Sequence, residues 1–284
     1  MSAALLLESF ACGHRRDAPV LEGISIALER GEVLALLGAN GAGKTTLLRA
    51  IAGLAPQTGG VLRLHGLPAP RGAAARARAG LALSFQNPDD QLFGATVAED
   101  VAIGPRQRGL AEAEVRREVE EALVATGMTA LAERPVEALS FGEKRRACLA
   151  GVLALRPTVL LLDEPTAGLD PEGERETARL LARLASERGL ALVVATHAVD
   201  LVPSFASRVA LLGEGRLLLD AGCRAAFVRS DLLGRARLRP PLPAEIWSLL
   251  RGPRTSAGVP LTAAELCARL GPMVSWSSGA EEAG

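Results

Sequence analysis

The sequence predicts an α/β domain organised on a parallel sheet, and three stretches predict it. The first is an apolar run, Val33–Leu37, followed by Gly38-Ala39-Asn40-Gly41-Ala42-Gly43-Lys44-Thr45-Thr46 and a helix-forming segment through Ile51 that Gly53 can end. The nine residues fit G-x-x-x-x-G-K-[ST], a loop that cradles phosphate groups when it joins a strand to a helix. The second is Thr158-Val159-Leu160-Leu161-Leu162-Asp163-Glu164, apolar on both faces and ending in two acids. Such a run suits the centre of a parallel sheet, whose strand carboxyl ends carry ligand-binding groups. The third, Ala191-Leu192-Val193-Val194-Ala195-Thr196-His197, repeats the pattern of strand followed by polar residue.

The remaining elements follow in order. Residues 5–7 and 20–28 read as strands, the second alternating in Val20, Leu21, Ile24, Ile26 and Leu28. Residues 30–32 form a turn into the phosphate-loop strand, and residues 59–66 a turn and strand. His65 stands alone there and reads as a solvated strand end. Residues 81–85 form a strand stopped by Pro88, where the polar run 86–91 marks an exposed loop. A charged helix spans 111–126 with a narrow apolar stripe at Val115, Val119 and Leu123. A second helix spans 139–155, opened by Ser140 and ended before Pro157. A third spans 172–188, and residues 208–215 and 216–220 form a small strand pair. After about residue 222, Arg-, Pro- and Gly-rich pieces link short helices at 244–250 and 261–270. Residues 1–221 thus form the main domain and 222–284 an appendage, whose last residues, 275–284, are expected to be disordered.

Composition excludes several classes. Of 284 residues, 49% are apolar and 23% charged, as in an ordinary globular chain. The 32 basic and 32 acidic residues cancel, so nucleic acid is not expected as a partner. Arg71, Arg76 and Arg78, interleaved with alanine, read as a solvated helix face. Cysteines 12, 148, 223 and 267 are too scattered for a metal pattern or a disulfide framework and fit a reducing cytosol. Residues 1–10 lack a basic n-region and a cleavage site, so no signal peptide is expected, and no apolar run approaches the length of a membrane span.

The chemistry these residues imply is phosphoryl transfer. The glycines let successive backbone N–H groups face one anion, and the helix N-terminus adds partial positive charge. Lys44 would reach the β- and γ-phosphates and the Thr45 hydroxyl would ligate Mg²⁺. Asp163 can hold Mg²⁺ directly or through a water, and Glu164 is placed to polarise an attacking water.

Further motifs carry a family resemblance. Leu139-Ser140-Phe141-Gly142-Glu143 followed by Lys144-Arg145-Arg146 resembles the signature sequence of ATP-binding cassette ATPases. Ala167-Gly168-Leu169-Asp170 resembles their D-loop, Gln86 their Q-loop glutamine and His197 their switch histidine, and the order and spacing match across residues 5–215. Residues 86–93 and 99–105 resemble the energy-coupling factor branch, in particular the cobalt/nickel importer ATPases, as do residues 149–154 and the proline-rich stretch 238–243.

The resemblance implies a P-loop NTPase fold: a RecA-like core, an antiparallel β subdomain and an α-helical signature subdomain at about 88–156. It implies an ATPase that works at the cytoplasmic face of the membrane and powers import, most plausibly of cobalt or nickel ions, with a vitamin or another solute as the alternative cargo. Two subunits, identical or paralogous, would sandwich two ATP molecules head to tail. Each site would take Gly38, Asn40, Gly41, Gly43, Lys44, Thr45 and Thr46 from the loop. Gln86, Asp163, Glu164 and His197 come from the same chain, with Thr45, Gln86 and Asp163 toward Mg²⁺. Ser140 and Gly142 would come from the facing chain, and the D-loop Asp170 would be a further nucleotide-binding residue. Integral membrane and substrate-binding subunits are the further partners, and Asp89 and Asp90 are expected to pair with arginines of a docking helix.

Two positions depart from the family pattern. Phe141 replaces the usual glycine, while Gly142 is retained. The chain has no tyrosine to stack on adenine; the matching position is Cys12, with Phe10 two residues earlier and His14 read as exposed loop. Either Phe10 stacks or base selectivity is weak, and GTP is expected to be tolerated. A soluble ABC ATPase is the alternative of another class, although it would usually carry two cassettes or a coiled-coil insertion. A GTPase switch would need an Asn-Lys-x-Asp motif, and a non-catalytic module would not be expected to keep Glu164 and His197.

Overall fold

The protein is described from a computed structural model covering residues 3–15, 17–251 and 258–270; the expectation for residues 275–284 lies outside them. In chain order the first half contains β1 (Leu5–Arg15), β2 (Ala18–Leu28), β3 (Val33–Leu37), α1 (Lys44–Ala52), β4 (Gln57–Leu64), β5 (Leu67–Pro68), α2 (Ala73–Arg78), β6 (Leu81–Ser84), α3 (Val97–Gln107) and α4 (Glu112–Thr126). The second half contains α5 (Phe141–Leu153), β7 (Val159–Asp163), α6 (Pro171–Arg188), β8 (Ala191–Thr196), β9 (Arg208–Gly213), β10 (Arg216–Gly222), α7 (Cys223–Phe227), α8 (Ser230–Arg235), α9 (Leu242–Arg251) and α10 (Ala263–Leu270).

Two sheets organise the chain. A six-stranded sheet has the order β10-β9-β3-β8-β7-β6, parallel except for β10 at its edge. A four-stranded antiparallel sheet has the order β2-β1-β4-β5. The central strands are apolar throughout because both faces of the larger sheet are covered. Val33, Ala35, Leu37, Leu160 and Leu162 enter a core with the helices, including α3, α4, α5 and α6. Leu34, Leu36, Val159 and Leu161 enter a second core with α1 and the antiparallel sheet. Reversal of strand order on either side of β3 puts the loops after β3, β7 and β8 at one carboxyl edge, where an open α/β sheet binds its ligand.

Local signals account for most element ends. Gly53 closes α1 in a left-handed conformation, φ 80°, and Ser140 opens α5 through a reciprocal capping box with Glu143. Helix α3 was not expected, because Gly104 and Pro105 interrupt its helical pattern. Its start is nonetheless well specified: Thr96 and Glu99 form a capping box, and the buried Asp100 accepts the Phe93 and Gly94 N–H groups.

Two side-chain readings, those of Arg76 and Phe10, are corrected. Arg76 is buried rather than solvated, and its guanidinium donates to the carbonyls of Ala50 (2.5 Å), Ile51 (2.8 Å) and Pro70 (2.9 Å). It thereby adds a buried donor to the last carbonyls of α1, of which Ala50 also accepts the Gly53 N–H (3.1 Å). Asp89 is exposed and forms an ion pair with Lys144 of the same chain at 2.7 Å. Phe10 is fully buried. Leu5 and Leu7 face the core, but Ser9 takes a left-handed φ of 47° and β1 slips register against β2 there. A bulge transfers the inward face to the other alternation, so Phe10 and Cys12 point inside.

Candidate functional site

The loop from Gly38 to Thr46 wraps one end of a cleft of about 570 Å³. Its glycines are required by space and by backbone. A Cβ at Gly38 would sit 2.8 Å from the Leu212 carbonyl oxygen, and Gly43 has φ 96° with Leu21 packed against it. Helix α1 starts at Lys44 with no side-chain cap and no acid in its first turn, so its N–H groups remain directed at the cleft. The buried Lys44 ammonium donates to the carbonyls of Gly38 (2.8 Å) and Ala39 (3.4 Å) and lies 3.6 Å from Glu164 Oε1. Thr45, Thr46 and the exposed Gln86 line the same cleft with Asn40, Gly41, Arg49 and Glu164.

Glu164 follows β7 and is buried, with a left-handed φ of 50°. Its N–H donates to the Ala195 carbonyl (2.9 Å), and its Oε2 lies 2.9 Å from Nδ1 of His197. The carboxylate therefore stands between an ammonium and an imidazole at the rim of the phosphate loop. Adjacent Asp163 is also buried, and its Oδ1 has no hydrogen-bond partner. Burial pushes its carboxyl above the usual carboxylate range, opposed by a hydrogen bond with Thr45 and by the charges of Lys44 and Arg49.

The unsatisfied Asp163 oxygen tests whether a cation fits. No group of three His, Cys, Asp or Glu among the described residues could hold a metal. One hydroxyl (Thr45), one carboxylate (Asp163) and one amide (Gln86) form a sparse oxygen set. That set suits Mg²⁺, which keeps waters and takes substrate phosphates rather than a full protein cage.

Ser140, Gly142 and Asp170 are not brought into this cleft. They line a separate surface depression with Phe141 and Gly168. Ser140 Oγ accepts the Glu143 N–H (3.3 Å), and Asp170 caps α6 by accepting from Gly173 (2.7 Å). Phe141, half exposed, packs its ring against Gly168.

Phe10 does not line the cleft; its place on the outer wall is taken by His14, an exposed residue of β1 rather than of a loop, with Val20 and Pro56. Two further residues escaped the sequence reading. Gln91 bridges the end of β6 to α5, accepting from Phe85 N–H and donating to the Cys148 carbonyl, each at 3.0 Å. Arg145 reaches from α5 to the Glu164 carbonyl at 2.6 Å. The contacts to the Cys148 and Glu164 carbonyls are made to main-chain atoms distant in sequence, so no local pattern announces them.

The sequence pattern of the ABC transporter family matches residues 21–167. The energy-coupling factor transporter ATP-binding protein EcfA of Methanoculleus marisnigri is 42% identical over 83% of this chain and 86% of its own length. The EcfA of Methanocaldococcus jannaschii is 41% identical over 81% and 83%. Among solved structures, cbiO1 of Clostridium perfringens, described as part of the ABC transporter complex cbiONQ, superposes with a TM-score of 0.75. It is 36% identical and covers 88% of this chain and 99% of its own. The phosphate loop, the acid pair at the end of β7 and the histidine after β8 come together in a chain of which these relatives cover about four fifths or more. The chain belongs to the ABC transporter family and is an ATPase, the ATP-binding subunit of an energy-coupling factor transporter.

Proposed function

We propose that this chain powers import of cobalt or nickel ions by hydrolysing ATP in a head-to-tail pair of ATPase subunits at the cytoplasmic face of the membrane. The observation that carries the hydrolytic part is Glu164, held between Lys44 and His197 beside the phosphate loop. The N–H groups of the loop and of the first turn of α1 would bind the phosphates, and Lys44 would exchange its contact with Glu164 for the β- and γ-phosphate oxygens. Glu164 would accept a proton from the attacking water, with His197 holding the carboxylate in place. Thr45, Asp163 and Gln86 would hold Mg²⁺, which supplies charge neutralisation to the transferred phosphoryl group.

The separation of Ser140, Gly142 and Asp170 from the cleft supports the paired arrangement, since they would face a nucleotide held by the second subunit. Its lip would receive the free N–H groups at the start of α5. No helix among the described residues is long and apolar enough to cross a membrane. Translocation would therefore fall to integral membrane partners. Support for the metal cargo comes from the resemblance of residues 86–93 and 99–105 to cobalt/nickel importer ATPases.

The test is a gentle affinity purification of the tagged chain from its own membranes, with mass spectrometry of co-eluting subunits and uptake of labelled cobalt and nickel. Metal uptake lost in Glu164→Gln supports motor and cargo together. Intact membrane partners without metal uptake would move the cargo to a vitamin or another solute. Absence of any membrane partner would overturn the transport role in favour of a soluble ABC ATPase.

A further inference from the structure

The signature helix α5 is tied to the hydrolytic carboxylate of its own chain by one side chain. Arg145 Nη1 donates to the main-chain carbonyl of Glu164 at 2.6 Å. The guanidinium carbon lies 5.0 Å from the centre of the Phe141 ring, and that ring packs on Gly168. A cation over an aromatic face is attracted by it, so the ring fixes the height and tilt of the guanidinium. Nε of Arg145 is buried without a hydrogen-bond partner. A planar donor fork is therefore held in a place where only one edge is satisfied, and that edge meets Glu164.

What the contact secures is visible in the Glu164 backbone. Its φ of 50° is a left-handed conformation that an L-residue adopts only when its surroundings enforce it. Three contacts enforce it here: the N–H donates to Ala195 O (2.9 Å), and the carbonyl accepts from Ala167 N–H (3.2 Å) and from Arg145. The first two come from the strand and turn that carry Glu164 and His197. Arg145 alone comes from another layer of the molecule. Relaxation of φ, a rotation about N–Cα that carries the carbonyl and Cβ together, would break this contact and turn the Glu164 side chain from its position between Lys44 and His197.

We propose that Arg145 is a positioning residue for hydrolysis, holding the Glu164 backbone in its left-handed conformation and so making the aim of the carboxylate depend on the seating of α5. The proposal rests on Glu164 being the base. Arg145 touches neither nucleotide nor water in this role, so its loss should change the chemical step and leave binding alone. It would also link two surfaces. Ser140 and Gly142 at the start of the same helix face the second subunit, so a shift of α5 on engagement would reach Glu164 through Arg145.

The experiment compares Arg145→Met, Arg145→Lys and Glu164→Gln in the full chain purified with its membrane partners. It measures phosphate release, affinity for a fluorescent ATP analogue and melting temperature. Arg145→Met is expected to lower kcat about tenfold or more with KM and analogue affinity within about twofold. Arg145→Lys, which keeps one donor, should recover part of the loss. In a Glu164→Gln background, single-turnover hydrolysis should be unchanged by adding Arg145→Met, because the group being positioned is gone. Unchanged kcat in Arg145→Met, or an equal loss in both backgrounds, overturns the proposal. Full hydrolysis in Glu164→Gln alone would instead overturn the reading of Glu164 as base. Should Arg145→Met prove unstable, Phe141→Leu keeps the donor but removes the ring beneath it. A fall in kcat at constant KM is then expected, and an unchanged kcat rejects the idea.

Discussion

Nδ1 of His197 lies 2.9 Å from Oε2 of Glu164, while the other oxygen of that carboxylate lies 3.6 Å from the Lys44 ammonium. The two residues follow β7 and β8, which pair in parallel register with Asp163 beside Ala195. The sheet, rather than the loops, therefore sets the distance between them.

Replacing Glu164 by glutamine preserves the size and one acceptor oxygen but removes the ability to take a proton. Steady-state phosphate release is expected to fall by about 10²–10³, within the range general-base catalysis supplies. Affinity for ATP should be retained or increased, measured by equilibrium binding. His197→Ala should lower kcat as well, through a carboxylate no longer restrained.

Asp163→Asn is expected to separate stability from activity. Burial raises the Asp163 carboxyl, so the protonated form is the one folding favours. That contribution is present below the ordinary carboxylate range and is lost as pH rises through the raised value, leaving a buried charge with an unpartnered oxygen. At neutral pH without Mg²⁺ the asparagine variant should unfold at higher denaturant, by about 1–3 kcal/mol. It should lose Mg²⁺-dependent hydrolysis. Wild-type chain should gain more from MgATP at neutral than at acidic pH.

His14 lines the cleft where Phe10, enclosed in the core, does not, and a base stacked on its imidazole is the expected arrangement. His14→Ala should raise KM for ATP by about tenfold, the scale of one base–aromatic stack, with little change in kcat. His14→Tyr should restore or lower KM. An imidazole face does not read base edges, so GTP should compete with ATP within an order of magnitude in a hydrolysis assay.

Arg76→Met should destabilise the chain by about 1.5–3 kcal/mol, the worth of charged hydrogen bonds, because the carbonyls of Ala50 and Ile51 lose their buried donor. Urea unfolding measures this directly. Since α1 carries Lys44 and Thr45 at its other end, a Met variant assayed well below its midpoint should bind ATP normally.

Three thiols are masked. Burial pushes Cys12 and Cys223 up to about 11 and Cys148 to about 12, while Cys267 is exposed. A thiol reagent at pH 7.5 should therefore modify Cys267 quickly and the other three only on unfolding, counted by mass spectrometry.

The sequence by itself determined the fold class and the chemistry, because both reside in contiguous stretches. The loop at 38–46, the acids at the end of β7 and the histidine after β8 each occupy one strand end, and an apolar strand followed by a polar terminus can be read without tertiary information. The tertiary structure decided what each side chain touches across the chain. A slip at Ser9 reversed which residues of β1 face inward, enclosing Phe10 and Cys12, and further register shifts after Cys12 leave His14 exposed beside the cleft. Periodicity assumes an uninterrupted pleat and cannot register such a slip. Arg76 looked solvated because alternation with alanine gives no sign of carbonyls waiting at the end of another helix. The contact of Arg145, read in the sequence only as part of the signature stretch, was illegible for the same reason: its partner is a main-chain oxygen nineteen positions away in sequence, and main-chain acceptors are the same at every residue. Local pattern specifies elements and their chemistry, whereas long-range contacts to backbone are chosen only when the layers pack.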